Sequence, residues 1–175
     1  ILPMFDVQIT DDEGVSLANG EIGEIWVKGA TLMQGYFNRP DETAACMSRD
    51  WFKTGDIGKI DDQGYIYIVD RKTDMVISGG ENIYCAEIEQ ILGRHKDVLA
   101  VCAYGIPHSR LGEALIVSLY AKDGLSEKDI SSFAINNLAK YKIPERIIIQ
   151  NEAFELNAMG KIEKNKVRET YTKLF

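Results

Sequence analysis

The sequence has few of the residues that bind metals or cross-link a chain. Its three cysteines, Cys46, Cys85 and Cys102, are odd in number and show no C-x-x-C spacing. Neither a disulfide framework nor a zinc cage is therefore encoded, and a reducing compartment fits best. The two histidines, His95 and His108, lie on either side of an expected strand without metal-ligand spacing, so they read as structural or solvated and no metal site is expected. Long apolar runs are also missing. The stretch around Leu115 to Tyr120 falls far short of the roughly 20 residues that cross a bilayer, and no charged-then-apolar leader opens the chain. The chain reads as soluble, with no transmembrane segment. Cytoplasm is the default location, because the ending Lys173-Leu174-Phe175 is not a Ser-Lys-Leu address.

Positive charge is the remaining shortage: 20 basic residues face 27 acidic ones, for a net charge of -7. A phosphate backbone or an anionic membrane would be repelled by such a surface, so no nucleic-acid partner is expected and any anionic ligand must be met locally. The chain opens at Ile1 without an initiator Met, and a fragment of a longer protein is expected. What is present is ordinary globular material, 45% hydrophobic and 27% charged over 175 residues, enough for one or two small cores.

To about Asp70 the chain alternates short β-like runs with turn clusters. Phe5 to Ile9, Ile22 to Val27 and Tyr65 to Val69 are separated by Asp11-Asp12-Glu13-Gly14 and Asp61-Asp62-Gln63-Gly64, which suggests a small barrel or curved sheet. The second cluster supplies an Asp that can cap a turn and a Gly free to take positive φ, so Ile57 to Ile60 and Tyr65 to Val69 form a predicted hairpin. After Arg71 helices and strands alternate. Tyr84, Ile88, Ile91 and Leu92 recur at helical spacing, and strands are expected over Val98 to Ile106, Ala114 to Ala121 and Arg146 to Gln150. Ser126 can cap a helix with Ile130, Phe133, Ala134 and Leu138 on its apolar face and Asp129 strengthening its start, while Val167, Tyr171 and Leu174 mark a last helix.

Several short motifs could carry chemistry. Thr54-Gly55-Asp56 places a carboxylate on a tight glycine turn just before a strand, where it could accept hydrogen bonds from the vicinal hydroxyls of a ribose; such charge-assisted bonds are roughly twice as strong as neutral ones. The same carboxylate serves equally as a turn cap. Arg71, with its rigid fork of donors, could hold sugar hydroxyls or phosphate, or simply make a surface ion pair. Gly79 and Gly80 would let backbone amides approach an anion near a helix start, although a plain glycine loop explains the pair as well. Lys161, within Asn157-Ala158-Met159-Gly160-Lys161-Ile162, is either solvated or a point charge for developing phosphate negative charge. In the second case it would contribute about 4 kcal/mol at about 4 Å and an effective dielectric near 20.

Taken in order, the runs GEIGEIWVKGATLMQGYFNRPDET, WFKTGDIG, GYIYIVDRKTDMVISGGENIYCAEIE, YGIPHSRLGEAL, YKIP and NAMGKIEK closely resemble the adenylate-forming, AMP-binding acyl-CoA synthetases over almost the whole chain. The resemblance implies an α+β fold: a short β-barrel-like remnant of a large domain over residues 1–70, a hinge over 71–74, and a small C-terminal lid domain over 75–175 with a three-stranded sheet and helices. It implies a reaction in which a carboxylic acid, in the first instance a fatty acid, attacks ATP to give acyl-adenylate and pyrophosphate, after which coenzyme A thiol displaces AMP. Residue by residue, Asp56 matches the aspartate on the AMP ribose, Arg71 the arginine assisting it, and Lys161 the adenylation lysine. Gly79 and Gly80 match the loop that walls the pantetheine channel, Thr73 stands at the hinge position, and Glu87 matches an acidic position of unspecified role. Mg2+ is expected with ATP in a full-length enzyme but not on this segment.

Two positions depart from that pattern: Thr73 replaces the usual charged hinge residue, and Cys85 replaces the proline that follows the Asn-Ile-Tyr run. No Ser/Thr/Gly-rich phosphate loop ending in Lys-Gly occurs in the chain, so the N-terminal large domain is taken to be missing and the segment alone is expected to be inactive. The other readings are a carrier-protein-loading adenylation enzyme, a luciferase-like oxidation, and a non-catalytic α+β binding module. The Gly-Gly-Glu-Asn-Ile-Tyr run favours free coenzyme A as acceptor.

Overall fold

A computed structural model of the chain describes residues 4–172. Leu174 of the last predicted helix, like Ile1 and the terminal Lys-Leu-Phe, lies outside the described residues. The chain is α+β and divides into two compact units between Thr73 and Asp74.

The first unit is an antiparallel sheet of strands β1 (Phe5–Thr10), β2 (Gly23–Gly29), β3 (Met47–Ser48), β4 (Trp51–Ile60) and β5 (Ile66–Arg71), with helix α1 (Pro40–Cys46) inserted before β3. Pro40 sits in the first turn of α1, where its missing N–H costs nothing. The predicted hairpin is present as β4 and β5, with Ile60 opposite Ile66. Its turn closes as the residue types require: Asp61 Oδ1 accepts the amides of Gln63 and Tyr65, both at 2.9 Å, and Gly64 takes φ +83°. Ile9, Ile25, Trp26 and Ile57 form the buried apolar set of this unit.

The second unit contains strands β6 (Val76–Ser78) and β7 (Glu81–Ile83), helix α2 (Cys85–Leu92), strands β8 (Val98–His108) and β9 (Gly112–Ala121), helix α3 (Glu127–Asn137), a short 3₁₀ turn over Lys140–Lys142, strand β10 (Arg146–Gln150) and helix α4 (Lys164–Thr172). The three strands expected from the sequence are β8, β9 and β10. The sheet extends beyond them to five strands, because the hairpin β6–β7 joins β9 through Ser78 opposite Gly112.

β9 is central, antiparallel to β8 and parallel to β10. Side chains alternate along it with the period of a strand. Leu115, Val117 and Leu119 face a core with Ile88, Leu92, Ile130 and Ala134 from α2 and α3, while Ala114 and Ile116 face a second cluster with Tyr104, Phe154 and Val167. The one polar residue in this run, Ser118, pairs its hydroxyl with Tyr104 Oη at 2.9 Å. Among the described residues no helix is long and apolar enough to cross a membrane.

α3 starts where Ser126 predicts it. Ser126 Oγ accepts the Asp129 amide at 3.2 Å, and Asp129 Oδ2 accepts the Ser126 amide at 3.3 Å, a reciprocal box that satisfies two otherwise orphaned donors. Replacing Ser126 with Ala is expected to cost about 1 kcal/mol of stability, measured as a shift of the urea midpoint. The Ser126 hydrogen bonds hold the Asp129 carboxyl below its usual range. Because this folded-state value is depressed, the carboxylate's contribution is present above the ordinary Asp range and is lost as pH falls through the folded value. The difference between wild type and Ser126→Ala should therefore narrow in acid.

Candidate functional site

The first group of candidate residues lies where the ladder of the first sheet is interrupted. On β2, Glu24 pairs with Ile57 and Trp26 with Lys53, so Thr54, Gly55 and Asp56 together oppose Ile25 alone. The sequence placed this triplet before a strand; it is instead a bulge within β4, and Gly55 at φ +71° is the residue that permits it. Thr54 Oγ1 donates to Ile25 C=O at 2.7 Å and accepts the Asp56 amide at 3.0 Å. The Gly55 amide donates to Glu24 Oε1 at 3.2 Å, and Lys72 Nζ joins Glu24 Oε2 and Asp12 Oδ1 at 3.1 and 2.9 Å. The hydrogen bond to Asp12 raises the Lys72 ammonium above its ordinary range; partial burial opposes it and Glu24 reinforces it.

On this braced bulge Asp56 faces Arg71 across the strands. Arg71 Nε lies 2.8 Å from Asp56 Oδ1, with side-chain exposures of 62% and 26%. So open a pair contributes only about 0–1 kcal/mol to stability. Its chemical value is that Asp56 Oδ2 has no partner among the described residues and the guanidinium has donors to spare. Acceptor and donors side by side suit a vicinal diol.

In the second unit, Gly79 and Gly80 form the two-residue turn of the β6–β7 hairpin, at φ +61° and +88°. The sequence placed the pair next to a helix start. Two consecutive positive φ values are what a twisted two-residue hairpin demands, so the chain pairs back on itself before α2 begins at Cys85. The Gly79 amide donates to Leu111 C=O at 2.8 Å, tying the tip to the β8–β9 turn. A side chain at Gly80 would meet nothing within 4 Å, so conformation and not crowding dictates glycine there. Glu87 has a clear partner: Lys142 Nζ lies 2.8 and 2.6 Å from its carboxylate oxygens. Cys85 and Cys102 are fully buried, and burial pushes the Cys102 thiol up to about 12.

Lys161 projects from a tight turn closed by the Leu156–Ile162 bridge. Asn157 Oδ1 accepts the amides of Met159 and Lys161 at 2.9 and 3.0 Å, and Gly160 takes φ +75°. The backbone under Lys161 is thus fixed from within the turn while its side chain is exposed and makes no ion pair among the described residues. Thr73 is the last residue of the first unit. No cluster of three or more His, Cys, Asp or Glu able to hold a metal occurs among the described residues.

Residues 87–161 match the AMP-binding enzyme C-terminal domain. Over 95% of its length the chain is 42% identical to the long-chain-fatty-acid–CoA ligase FadD13 of Mycobacterium tuberculosis, of which it covers 33%. Residues 87–161 thus belong to the AMP-binding enzyme C-terminal domain family. Among solved structures, ATP-bound MatB from Rhodopseudomonas palustris superposes with a TM-score of 0.90 at 36% identity, covering 99% of this chain and 35% of that one. The o-succinylbenzoate CoA synthetase MenE from Bacillus subtilis, solved with the acyl-adenylate intermediate OSB-AMP, gives 0.86 at 35% identity, covering 95% and 34%. The chain spans about a third of the length of these relatives.

Sequence reasoning missed β6–β7, α1, and an ion-pair cluster around Lys164. Paired glycines between Ser and Glu were the available signal for the hairpin, and Pro40 followed by Asp and Glu for the helix.

Proposed function

We propose that the chain is the C-terminal third of an ATP-dependent acyl-CoA ligase, which activates a carboxylic acid as its acyl-adenylate and passes the acyl group to coenzyme A. Residues 1–70 complete the large nucleotide-binding domain, 71–74 act as the hinge with Thr73 as pivot, and 75–175 form the lid. The observation that carries this reading is the braced bulge presenting Asp56 beside Arg71. It supports a grip on the AMP ribose, Asp56 accepting from the hydroxyls and Arg71 steadying it.

Lys161 supplies the charge at the other end of the nucleotide chemistry. When a carboxylate oxygen attacks the α-phosphorus, the bond from that phosphorus to pyrophosphate breaks and negative charge spreads over the phosphoryl oxygens. An ammonium delivered there lowers the barrier without taking part in bonding. In the second step the thiolate sulfur of coenzyme A attacks the acyl carbon and AMP leaves, with the Gly79–Gly80 tip walling the pantetheine channel. Mg2+ would enter with ATP, supplying charge neutralisation on the phosphates, and none of the described residues would hold it. The relatives named as CoA ligases support coenzyme A as the acceptor.

The test compares the complete protein with these 175 residues alone. The complete protein is expected to exchange pyrophosphate into ATP in the presence of a suitable carboxylic acid and to form an acyl thioester when coenzyme A is added. The 175 residues alone should show no exchange with any acid. Exchange by the short chain, or none by the complete protein across aliphatic and aromatic acids, overturns the reading.

A further inference from the structure

Lys161 sits on a turn whose tip is free, yet the lysine three residues on is drawn into the body of the unit. Lys164 opens α4 with its side chain 24% exposed. Its Nζ lies 2.8 Å from Glu89 Oε1 on α2 and 3.7 Å from Asp74 Oδ2, on the first residue after the division between the units. Glu89 Oε1 also accepts the Ala103 amide at 2.9 Å, so the same carboxylate is anchored to β8, which pairs with β9 alone among the described residues. Burial works against the Lys164 charge, but Glu89, with help from Asp74, outweighs it and holds the ammonium above its ordinary range.

This cluster differs from the other ion pairs of the chain in what it joins. α2, β8, the start of the unit and the Lys161 turn all meet at Lys164. Asp74, Glu89, Asn157, Lys161 and Lys164 line one cleft of about 720 Å3, so the clamp and the exposed lysine share a rim. A lone surface pair contributes little, but a partly desolvated ammonium held between two carboxylates fixes its own backbone firmly. The turn itself is short and braced by Asn157, so fixing residue 164 fixes the direction in which residue 161 leaves the unit.

We propose that Lys164 is a positioning residue for Lys161: its bridge to Glu89 and Asp74 sets where the Lys161 ammonium is delivered. This rests on the reading of Lys161 as the adenylation lysine. Delivery matters because a misplacement of about 1 Å in a reacting geometry costs on the order of 10²-fold in rate.

In the complete enzyme, Lys164→Ala is expected to lower kcat for adenylate formation by about 10-fold or more, with KM for ATP little changed. Thioester formation from supplied acyl-adenylate should change by less than about twofold. Lys164→Arg should restore most of the loss, because a guanidinium can bridge the same two carboxylates. In a Lys161→Ala background the Lys164→Ala change should add nothing, since the group being positioned is gone. Should Lys164→Ala prove poorly folded, Glu89→Gln retains an acceptor for the Ala103 amide while removing the charge, and should give the same selective loss.

Equal loss in both half-reactions, or full additivity in the double variant, would overturn the clamp. Undiminished adenylation by Lys161→Ala alone would instead sink the assignment of Lys161, a separate outcome.

Discussion

Lys161→Ala in the complete enzyme is expected to lower acyl-adenylate formation by about 10² or more while leaving thioester formation from supplied acyl-adenylate near the wild-type rate. The size follows from the charge: removing one preorganised donor to developing negative charge costs on the order of 10²–10³ in kcat. The selectivity follows from the structure. Lys161 is exposed and makes no ion pair among the described residues, and its turn is held by Asn157 and Gly160 through backbone contacts that an alanine at 161 leaves in place. The substitution therefore removes a charge without removing a fold element, and its melting midpoint should match wild type. Trapping the acyl-adenylate with hydroxylamine measures the first half-reaction, and thiol consumption with synthetic acyl-adenylate measures the second. A parallel fall in both rates would mean that this lysine does not divide the two steps.

Much of the scaffold behind that prediction was legible in the sequence because its cues are local. The turn contacts of Asp61 Oδ1 all fall within Asp61 to Tyr65, and Ser126 with Asp129 forms the capping box their spacing allows. The alternation along Ala114 to Ala121 is legible for the same reason: each second residue faces the same side wherever the strand lies. The candidate residues were recognisable only from the order of several motifs, since neither Asp56 nor Lys161 stands out alone.

The parts that were hidden depend on distant partners. The Thr54–Asp56 bulge is set by how β4 pairs with β2, about thirty residues earlier, and Gly55 by itself announces only a turn. Glu89 and Lys164 lie on separate helices and meet only once β8 has brought α2 and α4 together. Glu87 and Lys142 are 55 residues apart, so a sequence window shows two ordinary charges where the fold makes a pair.

The helix that carries Glu87 and Glu89 gives the other large expected effect, this time on stability. Ile88 is fully buried between them on α2, with Cys85 and Leu92 completing the same apolar stripe at helical spacing, and it packs into the core of Val117, Leu119, Ile130 and Ala134. α2 is eight residues long, too short to hold its shape in isolation, so it depends on this packing. Ile88→Ala removes three carbons from a site walled by a sheet on one side and α3 on another. Neither wall can collapse inward freely, and the lost transfer energy is joined by the cost of a cavity, about 2–5 kcal/mol together. Ile135→Ala on α3, where the side chain is 60% exposed, should stay within about 0.5 kcal/mol. Both are read as urea midpoints at unchanged slope. If Ile88→Ala cost less than 1 kcal/mol, α2 would not be held by this core, and its two glutamates would lose the rigid base from which they reach Lys142 and Lys164.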